Sequence, residues 1–464
     1  QITEINNSLA KKAYKLGDIK LACGKEIAVY ETVLSSNCNL SRNRVGIRNL
    51  LRNSWKLYDG AFIASYKPAE NEWRFSFLSE TKGFDDKATY AKHATQAKRY
   101  TYLFGEKHPC RTANERFEIL KASNKELKDI IEAFSVETLS NEFFQKYKEI
   151  YADFVQYITG KRYIKKGSKW EEKLVGKPNK KLLEDTFNND EKAVRDYVKK
   201  MMGRLVFLQF LQKKGWLDVP VDKDWGVGNK NYLQDLFKNS KHQDNFLEKV
   251  LEPLFFKVLN KERTNDIATN IPETNGKFPY LNGGLFEKDI DDEREVVFPK
   301  RYFKNLIEFL GEYNFTIDEN DPNDLEIGID PEMLGKIFEN LLEDNKDKGA
   351  YYTPKEIVQY MCQESLVAYL LESKDDDKKI RSFVTTHNTE DFTTDEKKHL
   401  IQKLKDVKIC DPAIGSGAFP MGMLNELFAC RTALEGDTPN LAQIKREIIQ
   451  NNIYGVDIEK GAID

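Results

Sequence analysis

Asp411, Ala413, Gly415 and Gly417 lie within nine residues of one another in the stretch Asp411-Pro412-Ala413-Ile414-Gly415-Ser416-Gly417-Ala418-Phe419. Glycines at this spacing let a backbone approach a ligand closely, and a helix that opens just after them offers unpaired N–H groups. A P-loop is excluded because no Gly-Lys-Ser/Thr follows. A dinucleotide site fits poorly, since Gly-x-Gly-x-x-Gly is incomplete and Pro420 stands where close helix packing wants glycine. Further on, Tyr454-Gly455-Val456-Asp457-Ile458-Glu459 ends in acids. An acid at the end of a second strand accepts hydrogen bonds from a ribose diol, which implies a nucleoside. Asp411 disfavours a pyrophosphate and suits a ligand with an amino group or a sulfonium charge. S-adenosylmethionine has both. A lone glycine turn is also ordinary structure, so the combination carries the reading.

A second set of chemistry-bearing residues lies near the start of the chain. Asp18 and Glu31 could share a divalent cation such as Mg2+ for phosphodiester cleavage. Carboxylates also stand on ordinary turns and strand faces, and that reading stays open. Arg44, Arg48 and Arg52 recur at intervals of four, on one face of a helix over 42–55, and suit DNA phosphates. A solvated helix face has the same pattern.

The elements that must position these residues follow from periodicity. Residues 1–110 read as a small α/β domain with strands over 26–34, 60–66 and 73–78. Residues 111–325 read as a helical connector. It contains the aromatic stripe Phe143, Phe144, Tyr147, Tyr151, Phe154 and Tyr157, a strong helix over 196–214, and a Gly283-Gly284 turn read as a structural joint. Within it, 161–181 is basic and glycine-containing and reads as a loop that could touch phosphates. From 326 to 464 a helix over 331–344 precedes Gly349-Ala350-Tyr351-Tyr352-Thr353-Pro354, where Thr353 caps the next helix. A polar stretch over 372–398 reads as a flexible insertion before the strand, glycine turn and helix at 407–428.

The bulk composition narrows the class. The chain has 464 residues, too many for one ordinary core. With 40% apolar and 32% charged residues it reads as folded and soluble, without a membrane-spanning run or a secretory signal. Six cysteines without a Cys-x-x-Cys pair suggest neither zinc nor a disulfide framework, so the cytoplasm is expected. The net charge of -3 gives no overall pull on nucleic acid, yet residues 1–110 hold 18 Lys+Arg against 11 Asp+Glu, so a nucleic-acid surface must be local.

Three motifs in this order, GAYYTP at 349–354, DPAIGSGAF at 411–419 and YGVDIE at 454–459, resemble the cofactor motifs of adenine-N6 DNA methyltransferases. The stretch LGKIFENLLEDNKDKGAYYTPKEIV resembles the large type IIG restriction–modification methylases, in which a nuclease-like region, a helical connector and the methylase follow one another. The resemblance implies an α/β plus α chain: a PD-(D/E)xK-like nuclease or DNA-binding domain, the connector, and the start of a Rossmann-like class I methyltransferase domain. It assigns Tyr352, Thr353 and Pro354 to the methionine end of S-adenosylmethionine, and Asp411, Ala413, Gly415 and Gly417 to the methionine and sulfonium side. Asp457 would take the ribose hydroxyls and Ile458 would pack on adenine. Implied partners are double-stranded DNA and, within a phage-defence system, other subunits or a phage inhibitor, with no membrane. The sequence departs from the pattern twice. Val33 stands where the nuclease core wants lysine after Glu31-Thr32, and no Asn/Asp-Pro-Pro-Tyr/Phe catalytic tetrapeptide occurs in the chain, as though it were the front portion of a larger enzyme. The alternative is an inactive DNA-binding or partner-binding scaffold that retains the methylase fold.

Overall fold

A computed structural model describes residues 9–36, 38, 51, 58–79, 98–105, 108, 110–123, 126–134, 136–166, 169–268, 276–281, 284–315, 324–326, 328–329, 353, 355–371, 377–415, 417–435 and 440–457. The chain divides into two compact units, Gln1–Met333 and Leu334–Asp464. It is a mixed α/β structure with a sheet at its N-terminal end.

The first unit is built on a six-stranded sheet. Five strands come from its first part, β1 Ala10–Lys20, β2 Glu26–Leu34, β3 Gly60–Tyr66, β4 Trp73–Ser79 and β5 Lys98–Phe104. Neighbours among these five are antiparallel except for the parallel pair β2–β3. Side chains alternate between two faces, and the faces differ. On one, Ala28, Tyr30, Ala61, Ile63 and Leu78 form a small-residue core with Ala10 and Ala13. On the other, Phe62, Phe75, Phe77 and Tyr102 ring Phe134, and Phe117 of helix α1 (Arg111–Ala122) packs edge-on against Tyr102 and Phe75. α2 (Leu127–Ala133) leads into Phe134.

The helical part of this unit follows the apolar periodicity. α3 (Val136–Thr159) buries Phe143, Tyr147, Phe154 and Ile158, as the aromatic stripe predicts. After Gly160 the chain forms a two-stranded antiparallel ribbon, β6 Lys161–Lys166 and β7 Lys169–Leu174, where the sequence reads as a loop. α4 (Glu191–Lys213) starts with Asp190, whose side chain accepts the Ala193 N–H at 3.0 Å, and ends before Gly215 at φ 69°. α5 (Tyr232–Asn239) and α6 (Lys300–Gly311) complete the packed layer.

Gly283, half of the expected joint, lies outside the described residues, and the segment that follows Gly284 is tied down by Arg204, which is 3% exposed on α4. Its guanidinium donates to the Leu285 carbonyl at 2.6 Å and holds Asp292 with two bonds, at 2.6 and 2.8 Å. A late strand, β8 Asp324–Glu326, then pairs in parallel with β5 and closes the sheet's far edge.

In the second unit, α7 (Lys355–Leu370) is followed by α8 (Asp377–Thr386) and α9 (Thr394–Asp406). The expected flexible insertion over 372–398 is therefore corrected. Thr393 and Glu396 form a capping box, and Phe383, Val384, Leu400 and Leu404 enter the core. The helices were hidden by their polar outer faces. β9 (Ile409–Asp411) pairs in parallel with β10 (Ile453–Gly455), and α10 (Ala418–Glu435) and α11 (Leu441–Asn451) connect them. Leu424, Leu427, Ile444 and Ile448 from these two helices fill the same core.

Candidate functional site

The register of β9 and β10 sets the geometry. Gly455 lies opposite Asp411, so the two strands end side by side and the glycine turn leaves β9 next to the acid that follows β10. The backbone ties the ends together: Val456 N–H donates to Asp411 O at 2.9 Å, and Ile414 N–H to Val456 O at 3.0 Å. The Gly415 N–H then donates to Asp457 Oδ2 at 2.8 Å. The turn itself holds φ 51° at Gly415 and 81° at Gly417, values that L side chains rarely adopt. Among the described residues a side chain at Gly417 would have no atom within 4 Å of its Cβ, so they leave the space beside the turn open.

Asp411 is the electrostatic feature of this turn. One oxygen, Oδ1, accepts the Ala413 N–H at 3.0 Å, a local turn bond. The other, Oδ2, is buried without a hydrogen-bond partner among the described residues. A buried acceptor left unpaired costs about 1–3 kcal/mol, so such an atom favours a ligand that brings a donor or a positive charge.

α7 is placed against the start of α10. A Cβ on Gly422 would fall 2.6 Å from Val358 Cγ1 and 3.1 Å from Cys362 Sγ, so the two helices meet at a glycine. Buried Glu426 on α10 accepts from Gln359 Nε2 at 3.3 Å and from Gln363 Nε2 at 3.2 Å. Thr353, half-buried, lies two residues before α7. Of the expected cofactor residues, Asp411, Ala413, Gly415, Gly417 and Asp457 are brought together at the strand ends. Tyr352, Pro354 and Ile458 lie outside the described residues, as do Arg44, Arg48 and Arg52.

The carboxylates expected to share a cation are not brought together. Asp18 pairs with Ala28 across β1–β2, and Glu31 pairs with Tyr14. Residues 28 and 31 are an odd number apart on one strand, so Asp18 and Glu31 fall on opposite faces of the sheet. Asp18, exposed, is held by Lys15 at 2.8 Å, and that hydrogen-bonded ammonium depresses its carboxyl below the ordinary range. Glu31 accepts the Tyr66 hydroxyl at 2.6 Å, which raises that phenol. Among the described residues no cluster of three or more His, Cys, Asp or Glu is arranged to hold a metal ion.

Sequence reasoning passed over another acid of this sheet. Asp59 stands at the head of β3, where its Oδ2 accepts the Glu26 N–H at 3.0 Å. Its neighbour Gly60 pairs with Ser79 at the end of β4, and the sequence after Ser79 is Glu80-Thr81-Lys82, the Glu-x-Lys order absent after Glu31. Residues 80–82 lie outside the described residues. The signal for this set was an acid before one strand and Glu-x-Lys after the next.

No protein-family model matches the chain. It is 28% identical over 387 residues to a Methanocaldococcus jannaschii protein assigned as a type II restriction enzyme and methyltransferase, covering 78% of this chain and 31% of that protein. It is 24% identical over 208 residues to DNA methyltransferase A of Bacillus subtilis, covering 44% of this chain and 20% of that protein. Among solved structures, the Type IIL restriction-modification enzyme MmeI in complex with DNA overlaps 57% of this chain and 31% of its own at 20% identity and a TM-score of 0.38, too loose a superposition to fix the fold. The chain thus spans under a third of the length of the curated relatives it matches. Its resemblance to restriction–modification methyltransferases, first carried by three motifs, extends over most of its length.

Proposed function

We propose that this chain carries the cofactor-binding front part of an S-adenosylmethionine-dependent DNA methyltransferase acting on adenine N6 in a restriction–modification or phage-defence system. The observation that carries the reading is the junction of Asp411, Gly415 and Asp457 at the ends of two parallel strands. Ligands of open α/β sheets bind outside the carboxyl ends of such strands. The orphaned Asp411 oxygen and the open side of Gly417 fit a ligand that is cationic and approaches the backbone. A bound S-adenosylmethionine supplies the electrophilic methyl group. Asp457 orients the turn through the Gly415 N–H, Asp411 favours the positive end of the ligand, and α7, which begins two residues after Thr353, packs on α10 through the Gly422 contact. The adenine, flipped out of duplex DNA, would be held by groups outside this set of residues.

The test is calorimetry of S-adenosylmethionine with the wild-type chain and with Asp411→Ala. Binding that weakens in the variant supports the reading; equal affinity, or none in either protein, removes it. For the longer protein the readout is N6-methyladenine in duplex DNA. Cofactor binding without any methyl transfer would favour an inactive DNA-binding or partner-binding scaffold.

A second reading, a fused endonuclease, is favoured by the placement of Asp59 and by the Glu80-Thr81-Lys82 order after β4. In sequence an acid precedes β3 and a Glu-x-Lys follows β4, carboxylates on which Mg2+-assisted phosphodiester cleavage could draw. Cleavage of duplex DNA with Mg2+, lost in Asp59→Ala and Glu80→Ala but retained in Asp18→Ala, would establish it. Cleavage that instead depends on Asp18 would return the metal to the first pair.

A further inference from the structure

Glu426 is a carboxylate placed where folded proteins rarely leave one. It stands on α10, beyond the glycine turn, and is 6% exposed. Each of its oxygens takes one amide from α7: Gln359 Nε2 donates to Oε1 at 3.3 Å, and Gln363 Nε2 to Oε2 at 3.2 Å. Gln359 and Gln363 are one turn apart, so both reach the acid from one face of α7. On the same pair of helices Cys362 Sγ donates to Phe419 O at 3.8 Å, and the glycine at 422 lets Val358 come close. The first turns of α7 are thus laid along the first turns of α10.

A buried carboxylate calls for a counter-charge. Among the described residues the only side chain able to carry positive charge within 4 Å of the Glu426 oxygens is His387. His387 closes α8: its N–H donates to Phe383 O at 2.7 Å, and its backbone takes φ 58°, a left-handed conformation unusual for a residue with a Cβ. Its Nε2 lies 3.8 Å from Glu426 Oε2 and is buried without a hydrogen-bond partner among the described residues, yet the side chain is 35% exposed, so protons reach the ring. The other charges on the surrounding helices are matched. Glu364 of α7 pairs with Arg381 of α8, which also faces Asp377 at 3.7 Å; Lys379 pairs with Glu396 of α9 at 2.6 Å; Arg431 of α10 pairs with Glu435 and Glu447, each at 2.9 Å. Burial and, after it, the charge of Glu426 push up the thiols of Cys362, to about 11, and Cys430, so neither adds charge near neutrality. We propose that Glu426 and His387 are positioning residues for the cofactor site, a proton-dependent brace that holds α7 against α10. An imidazolium has an N–H on both nitrogens, whereas a neutral ring has one. With the proton in place, Nε2 gives Glu426 a donor and an opposite charge; without it, the carboxylate rests on two amides. The brace therefore tightens in mild acid and slackens as pH climbs. Such a brace, which rests on the S-adenosylmethionine reading above, sets how α7, beginning two residues after Thr353, lines up with the helix that follows the glycine turn.

The experiment measures S-adenosylmethionine affinity of the full chain by calorimetry, and hydrogen exchange of the α7 amides by mass spectrometry, both from about pH 6 to about pH 8. In the wild type, affinity should fall roughly threefold to tenfold from the acid to the alkaline end, and α7 should exchange faster there, beyond the intrinsic base-catalysed rise. His387→Gln should flatten both profiles at the alkaline wild-type level. Glu426→Gln, neutral and of the same shape, removes the need for a counter-charge and should flatten them as well, with circular dichroism unchanged in both variants. Wild-type pH dependence that survives in either variant overturns the brace while leaving the cofactor reading standing, and a flat exchange profile in the wild type overturns it without any variant. Exchange that follows the expected profiles in a chain that binds no S-adenosylmethionine at any pH removes the cofactor reading and leaves a clamp between two helices.

Discussion

Gly215 and Gly417 share a backbone conformation and differ in what surrounds them. Both sit at positive φ, 69° and 81°. At Gly215, which ends α4, an added Cβ would lie 2.5 Å from the Gly226 carbonyl oxygen, because the loop folds back and the Gly226 and Gly228 N–H groups donate to Gly215 O at 3.1 and 2.9 Å. At Gly417 it would meet nothing within 4 Å among the described residues. The first loop is filled by its own backbone, whereas among the described residues the second keeps an empty side and an unpaired buried oxygen at Asp411. A glycine that is needed by the fold and a glycine that leaves room for a ligand are told apart by clearance, and φ alone does not separate them.

The contrast can be broken most directly at its closed end. Gly215→Ala combines strained φ with a clash against backbone, and should destabilise the first unit by about 3 kcal/mol in a denaturant titration. Next in size, Asp457→Ala removes the carboxylate that holds the Gly415 N–H, and should weaken S-adenosylmethionine by roughly tenfold to a hundredfold in calorimetry, about 1.5–3 kcal/mol. Gly417→Ala has the strain without the clash, so its stability loss should stay near 1 kcal/mol while cofactor affinity falls further than stability does. Equal destabilisation at Gly215 and Gly417 would erase the distinction.

The smallest effect concerns pH. Asp218 lies in the closed loop, and burial raises its carboxyl, partly offset by a hydrogen bond from the Gly276 backbone. A carboxyl raised in the folded state takes up its proton more readily there than when unfolded. Stability therefore falls as pH climbs from the ordinary aspartate range through the folded value, and is level above it. Asp218→Asn should be more stable than wild type at neutral pH by less than about 1 kcal/mol, with the gain vanishing in acid, as followed by thermal melts at both pH values.

Legibility in the sequence followed periodicity and failed where chemistry repeats without it. The aromatic stripe over 143–157 and the glycine stop after Lys213-Lys214 announced α3 and α4, because burial and capping act through near neighbours. The cofactor turn was legible for a similar reason: strand, Gly415, Gly417 and helix are contiguous, and Asp457 follows the next strand. α8 and the start of α9 read as an insertion in sequence, since Ile380, Phe383, Val384, Leu400 and Leu404 face inward among many charges. The basic ribbon reads as a loop in sequence because Lys-rich strands lack the β-branched signature, and its base rests on a glycine, Gly160. The pairing of Asp18 with Glu31 failed on register. Which face a residue takes depends on whether an odd or even number of positions separates it from a partner strand's residue, and one irregularity between Lys15 and Gly17 shifts that count.

β8 has a consequence for how the chain is made. It pairs with β5 from more than two hundred residues downstream, and it closes an edge that otherwise presents unpaired N–H and C=O groups. At synthesis rates of about 5–20 residues per second, that edge stays open for roughly 10–40 s after β5 leaves the ribosome. During this interval the helical layer must fold beside an unfinished sheet. Truncated products ending before residue 324 would carry the bare edge permanently, and pairing between two such edges is their natural route to aggregation.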